Sequence, residues 1–176
     1  MKLVKIFTAM LVAVGLIGGS AFAGEPKDKV KVGFVYVGPT GDHGWTYRHD
    51  IGRQQVEEAF GDKVETFYVE SVNYGPDAER TFRQMALNGA DIIFGTSFGY
   101  MDAMRKVAEE FPDVKFEHAT GYKSNETNYA NYGLRLYQAR HVQGVIAGMM
   151  TKTNKICYVG AFPIPEVIRE INTYYL

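Results

Sequence analysis

From Val30 onward, short apolar runs alternate with stretches whose apolar residues recur every three or four positions. The run "VKVGFVYV" (30–37) is nearly continuous, the mark of a strand covered on both faces. Residues 46–60 follow a helical period, with Gly52, Val56, Ala59 and Phe60 on one stripe. "VETFYVES" (64–71) is a second strand, set off by Gly61-Asp62. "DAERTFRQMALNG" (77–89) is a helix with Ala78, Phe82, Met85 and Ala86 inward and Gly89 as its cap. "ADIIFGTS" (90–97) is a strand, and 100–111 is a helix with Met101, Met104, Val107, Ala108 and Phe111 inward, stopped by Pro112. "VKFEHAT" (114–120) is the fourth strand. After it the texture turns polar, in a surface connection over 121–133 that leads into a short strand near 129–134. A helix over 137–151, close-packed at Gly144 and Gly148, a strand over "KICYVGA" (155–161) and a helix entered through Pro165 complete the pattern. The last helix reaches Leu176 with no capping residue and an apolar stripe of Val167, Ile168, Ile171, Tyr174 and Tyr175, so the chain is expected to be a fragment of a longer protein.

Strand–helix alternation at this spacing gives an α/β fold: a parallel, doubly wound sheet with helices on both faces and right-handed crossovers. With the strands in the order 2-1-3-4, ligands belong at the carboxyl edge where the order reverses, between the first and third strands. The loops there are "GPTGDHGW" (38–45) and "GTSFGY" (95–100), and the fourth strand delivers His118, Thr120, Gly121 and Tyr122 beside them.

The first residues change the picture of where the protein works. Lys2 and Lys5 precede an apolar run from about Ile6 to Ile17, and Ala21-Phe22-Ala23 has the small-residue spacing of a cleavage site. Residues 1–23 are therefore expected to be a cleaved signal peptide, too short in its apolar run to span a membrane. Without a basic block, and with a formal net charge of -1, the chain has no electrostatic footprint for nucleic acid. Cys157 is the single cysteine, so no internal disulfide is possible, and its apolar neighbours predict a small core residue.

Candidate chemistry gathers in the two glycine-rich loops. Trp45, the only tryptophan, stands where the first strand should turn into a helix. With Phe98 or Tyr100 opposite, it would wall a slot for a flat ring; alternatively it is a staple fixing the helix start to the sheet. Asp42 would accept from ring or exocyclic N–H groups or a ribose hydroxyl, and His43 and Ser97 would donate or accept. "GPTGDHG" lacks the Lys-Ser/Thr of a phosphate loop and fails G-x-G-x-x-G. The histidines do not fall in H-E-x-x-H, Ser97 lacks a G-x-S-x-G context, and Glu117 and His118, adjacent in a strand, point to opposite faces. No catalytic set, metal site or cofactor is expected, so the sequence points to binding without chemistry.

The segments "KVGFVYVGPTGDHGWTYRHDIGR", "FGTSFGYMDAM", "FPDVKFEHATGY" and "ARHVQGVIAGMMT…KICYVGAFPIPEVIREIN" resemble, in order, the basic membrane protein (BMP) family of substrate-binding proteins from ABC importers. The resemblance implies a type I periplasmic binding protein, with two Rossmann-like lobes closing on a purine base or nucleoside. Residues 24–133 would form the first lobe, and 134–176 the hinge crossing and the start of a truncated second lobe. It places Asp42 and Trp45 at the ligand, the "GDxGWTY" pattern resembling adenine-type binders, with Ser97, Phe98, Tyr100, Thr120 and Gly121 in the crevice and Phe162 opposite. His43 stands where nucleoside receptors often have Asn or Asp, which leaves base and nucleoside both open. The implied partner is an inner-membrane ABC permease, the location the periplasm, and the intact protein a monomer. A sensor input domain of a membrane receptor would use the same fold.

Overall fold

A computed structural model describes residues 27–176. The expected leader lies outside this range, and none of the described helices is long and apolar enough to cross a membrane. Five strands form one sheet: β1 (Val30–Val35), β2 (Val64–Val69), β3 (Ile92–Gly95), β4 (Lys115–Ala119) and β5 (Tyr129–Tyr132). Their order is β2-β1-β3-β4-β5, and every pairing is parallel. The sequence pattern anticipates this order, with the short fifth strand added at the far edge. The helices are α1 (Trp45–Phe60), α2 (Pro76–Leu87), α3 (Met101–Glu110), α4 (Leu136–Met150) and α5 (Pro165–Tyr174).

The main core lies on the face covered by α2 and α3. Val35, Ile93 and Phe116 of the sheet meet Phe82 and Met85 of α2 and Met104 and Val107 of α3, all buried. These are the inward positions expected from the helical period. Gly95 permits the contact: a Cβ there would lie 2.2 Å from Met104 Sδ, so only a bare backbone lets α3 sit this close. Asn128, in the stretch expected to be irregular, is buried, and its Nδ2 faces the carbonyls of Ala108, Phe111 and Val114 at 2.9 Å each. It therefore satisfies acceptors left over where α3 ends.

The other face is held differently. Val32, Phe34 and Tyr36 of β1 and the segment after it form a small cluster, with Phe94 stacked on Phe34 at a centroid distance of 5.0 Å. The helix over this face is α1, and its expected apolar stripe faces the sheet without closing on it: Gly52 and Val56 are half-buried and Phe60 is 55% exposed, and they line an apolar pocket with Val32, Phe34 and Phe94. Thr46 and Asp50 are the buried residues of α1. Asp50 accepts from Arg53 Nε at 2.7 Å, Gln54 Nε2 at 2.7 Å and the Tyr36 hydroxyl at 3.3 Å. Arg53 Nη1 donates to Thr66 Oγ1 of β2 at 2.9 Å, and its guanidinium lies over the Tyr68 ring. The close contacts of α1 with the sheet are thus made by a satisfied polar network beside the apolar stripe, which hydrophobic periodicity does not reveal.

Two further expectations are corrected beyond residue 150. Residues 155–160 form no strand, because among the described residues no other strand lies alongside to complete a ladder. For the same reason Cys157 is exposed rather than a core residue. Gly144 is close-packed, since a Cβ there would meet the Tyr174 carbonyl oxygen at 1.9 Å, whereas Gly148 faces open space. Through that contact α4 and α5 pack on each other.

Burial pushes the Asp50 carboxyl up, but the Arg53 and Gln54 hydrogen bonds and the Arg53 charge outweigh it and hold it below the usual range. A depressed carboxyl stabilises the fold above its unfolded pKa and loses that contribution as pH falls through its folded value. Urea unfolding should therefore show stability falling on acidification below about pH 4, with the slope reduced in Asp50→Asn. Asp50→Ala, which strands Arg53, should lower stability at neutral pH by about 2–4 kcal/mol; an unchanged midpoint would show that the network is not what docks α1.

Candidate functional site: a cavity at the carboxyl edge of the sheet

The turn after β1 is built on one carboxylate. Asp42 accepts from the backbone N–H groups of Gly44 at 2.7 Å, Thr46 at 3.0 Å and Tyr47 at 2.9 Å. These include donors of the first turn of α1, which have no partner inside the helix, and the charge complements the helix dipole. What burial Asp42 has pushes its pKa up, but the three N–H bonds outweigh it and keep the carboxyl low. The Thr40 N–H donates to Glu70 at 2.7 Å, tying the loop to the end of β2.

Trp45 is the first residue of α1 and is fixed at one edge. Its Nε1–H donates to the Thr96 carbonyl at 2.5 Å, linking the first crevice loop to the end of β3, and the residue remains 36% exposed. It is therefore anchored as a staple while part of its ring stays open. Next to it, Ser97 Oγ and the Tyr74 hydroxyl lie 2.9 Å apart. The Tyr74 ring sits over Gly99, where a Cβ would approach it to 2.6 Å.

These residues form one wall of a cavity of about 530 Å³. From the sheet side it is lined by Val37, Ser97, Phe98, Gly99 and Thr120 just past strand ends, by Trp45 at the start of α1 and by Tyr74 in the loop before α2. Leu136 and Arg140 of α4, the segment 158–162 with Phe162, and Ile164, Glu166, Val167 and Glu170 at α5 form the opposite wall. Arg140 Nε donates to Glu170 at 2.8 Å and the Tyr158 hydroxyl donates to the same carboxylate oxygen at 3.3 Å. The volume lies in the range of small-molecule sites, and the lining is mostly apolar and aromatic with a few polar groups.

Of the residues expected at the site, the structure gathers Trp45, Ser97, Phe98, Thr120 and Phe162 on the cavity and leaves four off it. Asp42 spends its carboxylate on the α1 backbone. His43 is exposed, at φ 50, beside Tyr47. Tyr100 is wholly buried, its hydroxyl donating to the Val72 carbonyl at 2.7 Å and its ring packed edge-on against Tyr74 and Phe82. It belongs to the core because it follows Phe98 by two residues on a short helical turn, which points the two rings to different sides; Tyr74 lies on the wall. Gly121 lies behind the wall. Sequence reasoning missed Tyr74, Arg140, Tyr158, Glu166 and Glu170; the polar residues among them sit inside helical patterns where they pass for a solvated face.

Gly121 lies behind the wall because of His118. That imidazole is fully buried, and its Nε2 lies 2.8 Å from the Ser97 carbonyl. A carbonyl only accepts, so Nε2 carries the proton, and Nδ1 is the one buried side-chain nitrogen or oxygen among the described residues without a partner. Burial lowers the His118 pKa against the opposing pull of the Ser97 and Phe98 backbone, favouring this neutral form. Gly121 packs flat on the ring, and a Cβ there would fall 2.0 Å from Nδ1. Thr120 between them is held at φ 64, a conformation β-branched residues avoid. His118 thus braces the loop after β3 and the loop after β4 from beneath.

Comparison with known proteins agrees with this architecture. The family profile described as "Bmp: ABC transporter substrate-binding protein PnrA-like" matches residues 29–176. The chain belongs to the Bmp family. A purine-binding protein of Brucella abortus (strain 2308) is 53% identical over 165 residues, which is 94% of this chain and 46% of that protein. A Haloferax volcanii protein, named for glucose binding in an ABC transporter, is 48% identical over 90% of this chain and 39% of its own length. The chain thus spans less than half the length of these relatives. Among solved structures, an ABC transporter solute-binding protein of Aeropyrum pernix K1 superposes with a TM-score of 0.68 at 21% identity, covering 82% of this chain and 41% of that one. One from Conexibacter woesei gives 0.56 at 23% identity, over 68% and 40%. These solved structures confirm the type I binding-protein fold class of the Bmp chain. Bmp proteins are substrate-binding proteins and not enzymes, in keeping with the lack of a catalytic set in the sequence.

Gly121→Ala should lower stability by about 1–3 kcal/mol, because a fully buried ring cannot move aside for the methyl. Thermal denaturation reads this directly, and an unchanged midpoint would mean that the loop after β4 is free to shift.

Proposed function

We propose that the protein is the periplasmic solute-binding component of an ABC importer and carries a purine base or nucleoside, adenine-type by its "GDHGWTY" turn, in the cavity at the carboxyl edge of the sheet. The observation that carries this reading is the pair of aromatic residues on the sheet-side wall: Trp45, with an open ring surface, and Phe98. A flat heteroaromatic ring gains from stacking on such a wall on the order of 1–3 kcal/mol. The Brucella relative named as purine-binding, at 53% identity, supports the same ligand class.

The Haloferax relative raises a sugar as the second reading. A hexose presents hydroxyls around its whole rim and needs a matching ring of polar partners. The sheet-side wall offers few, Ser97 and Thr120 beside Val37, Trp45, Tyr74 and Phe98. On this aromatic wall a purine ring is therefore the better fit.

Residues 24–133 act as the first lobe, and 134–176 cross the hinge and begin the second. Capture works by closure of the second wall on the first, which places the ring against Trp45 and Phe98 and excludes water. Asp42 contributes by fixing the start of α1, and His118 and Gly121 by holding the loops after β3 and β4; Phe162 approaches from the opposite wall. The filled protein, a monomer, docks on an inner-membrane permease. Its leader is removed after Ala23.

Trp45→Ala should weaken purine binding about tenfold or more, while Trp45→Phe, which keeps a ring face, should retain most of it. Isothermal titration of the protein as the cell makes it, with melting curves as a folding control, measures both. Equal affinity in Trp45→Ala and wild type would return the tryptophan to a purely structural role.

A further inference from the structure

We infer that Glu166 reads the edge of the bound ring, its carboxylate accepting two adjacent N–H donors of an uncharged purine; this rests on the purine reading above. Two carboxylates line the cavity, and they differ in how they are engaged. Glu170 is 5% exposed and accepts from Arg140 and Tyr158. Its charge is neutralised in place, and Arg140 is further occupied by Gln143 Oε1 at 2.9 Å. Glu166, one turn earlier on α5, is half-buried on the same cavity and has no hydrogen-bond or ion-pair partner among the described residues. Burial and the neighbouring Glu170 charge push its carboxyl up, while Arg169 pulls it down.

A free carboxylate beside an aromatic slot is an acceptor without a donor. Its two oxygens match two N–H groups side by side in one plane. Purines present such pairs: guanine has its ring N1–H next to the 2-amino group, and free adenine has the 6-amino group next to N7–H in its 7H form. The aromatic wall supplies affinity to any flat ring, while the carboxylate discriminates among rings by their donors. Arg140, Glu166 and Glu170 are the charged groups on the lining, so the wall carries an excess negative charge that disfavours anionic ligands and favours donor-rich ones. A site built to satisfy a donor rejects the analogue that lacks it, because the buried acceptor is then left unpaired.

The test is a donor-deletion series on the ligand-stripped protein as the cell makes it. Affinities for adenine against unsubstituted purine, and for guanine against hypoxanthine, are measured by calorimetry in wild type, Glu166→Gln and Glu166→Asp. In wild type the base with the amino group should bind about tenfold more tightly, or better, than its partner without it. Glu166→Gln, isosteric but with only one acceptor, should shrink that preference to about threefold or less, while Glu166→Asp keeps part of it. Melting temperatures separate folding from recognition. A preference that survives intact in Glu166→Gln overturns the assignment of Glu166 and leaves the purine reading standing. A wild-type protein that binds none of these bases overturns both.

Discussion

Everything at the site depends on where α1 begins, and one carboxylate decides that. By collecting the N–H groups of Gly44, Thr46 and Tyr47, Asp42 fixes the first turn of the helix to the loop leaving β1. Trp45 is the first residue of that turn, so its ring comes out over the carboxyl edge of the sheet and not into the core. Its indole N–H then closes on the Thr96 carbonyl, which joins the loop after β1 to the loop after β3. Two loops on strands that are neighbours in the sheet but far apart in sequence thereby become one wall.

The wall is backed by close packing. His118 lies under the loops after β3 and β4, bonded to Ser97 and crowded by Gly121, and Thr120 is held in a conformation that costs a β-branched residue energy. Such strain persists only where the surroundings over-determine the backbone. Here it sits beside the cavity, where a preset shape spares the ligand the cost of ordering the loops. The opposite wall, from α4, the 158–162 segment and α5, brings the charged groups, so the two sides differ in character: the sheet side is mainly apolar and aromatic, and the helical side carries Arg140, Glu166 and Glu170.

Much of the fold is legible in the sequence because parallel strands and the helices over the main core obey simple periods. The residues at 78, 82, 85 and 86 and at 101, 104 and 107 announce their inward faces. The crevice is legible for a topological reason: strand order reverses beside β1, whatever the side chains are. Three kinds of feature were not. The tight docking of α1 rests on Asp50 and Arg53, charged residues that hydrophobic periodicity assigns to solvent. Tyr100 is turned into the core because the short helix over Phe98–Tyr100 points its first and last rings to different sides, which strand-and-loop boundaries cannot resolve, and Tyr74 gives no sequence signal for its place on the wall. The 155–160 segment reads as a strand from composition alone, but a strand exists only through its neighbours. Asp42 is expected from the sequence to read a ligand edge; in the fold its carboxylate accepts three backbone N–H groups at the start of α1, a role that residue type and loop position do not announce.

The central claim, a purine held between the aromatic sheet-side wall and the helical wall, is tested most directly by identifying what the protein carries. Protein purified from the compartment where the cell delivers it is denatured, and the released small molecules are identified and quantified by mass spectrometry. A purine base or nucleoside in near-stoichiometric amount is the predicted result. A hexose or another non-purine solute in its place would contradict it.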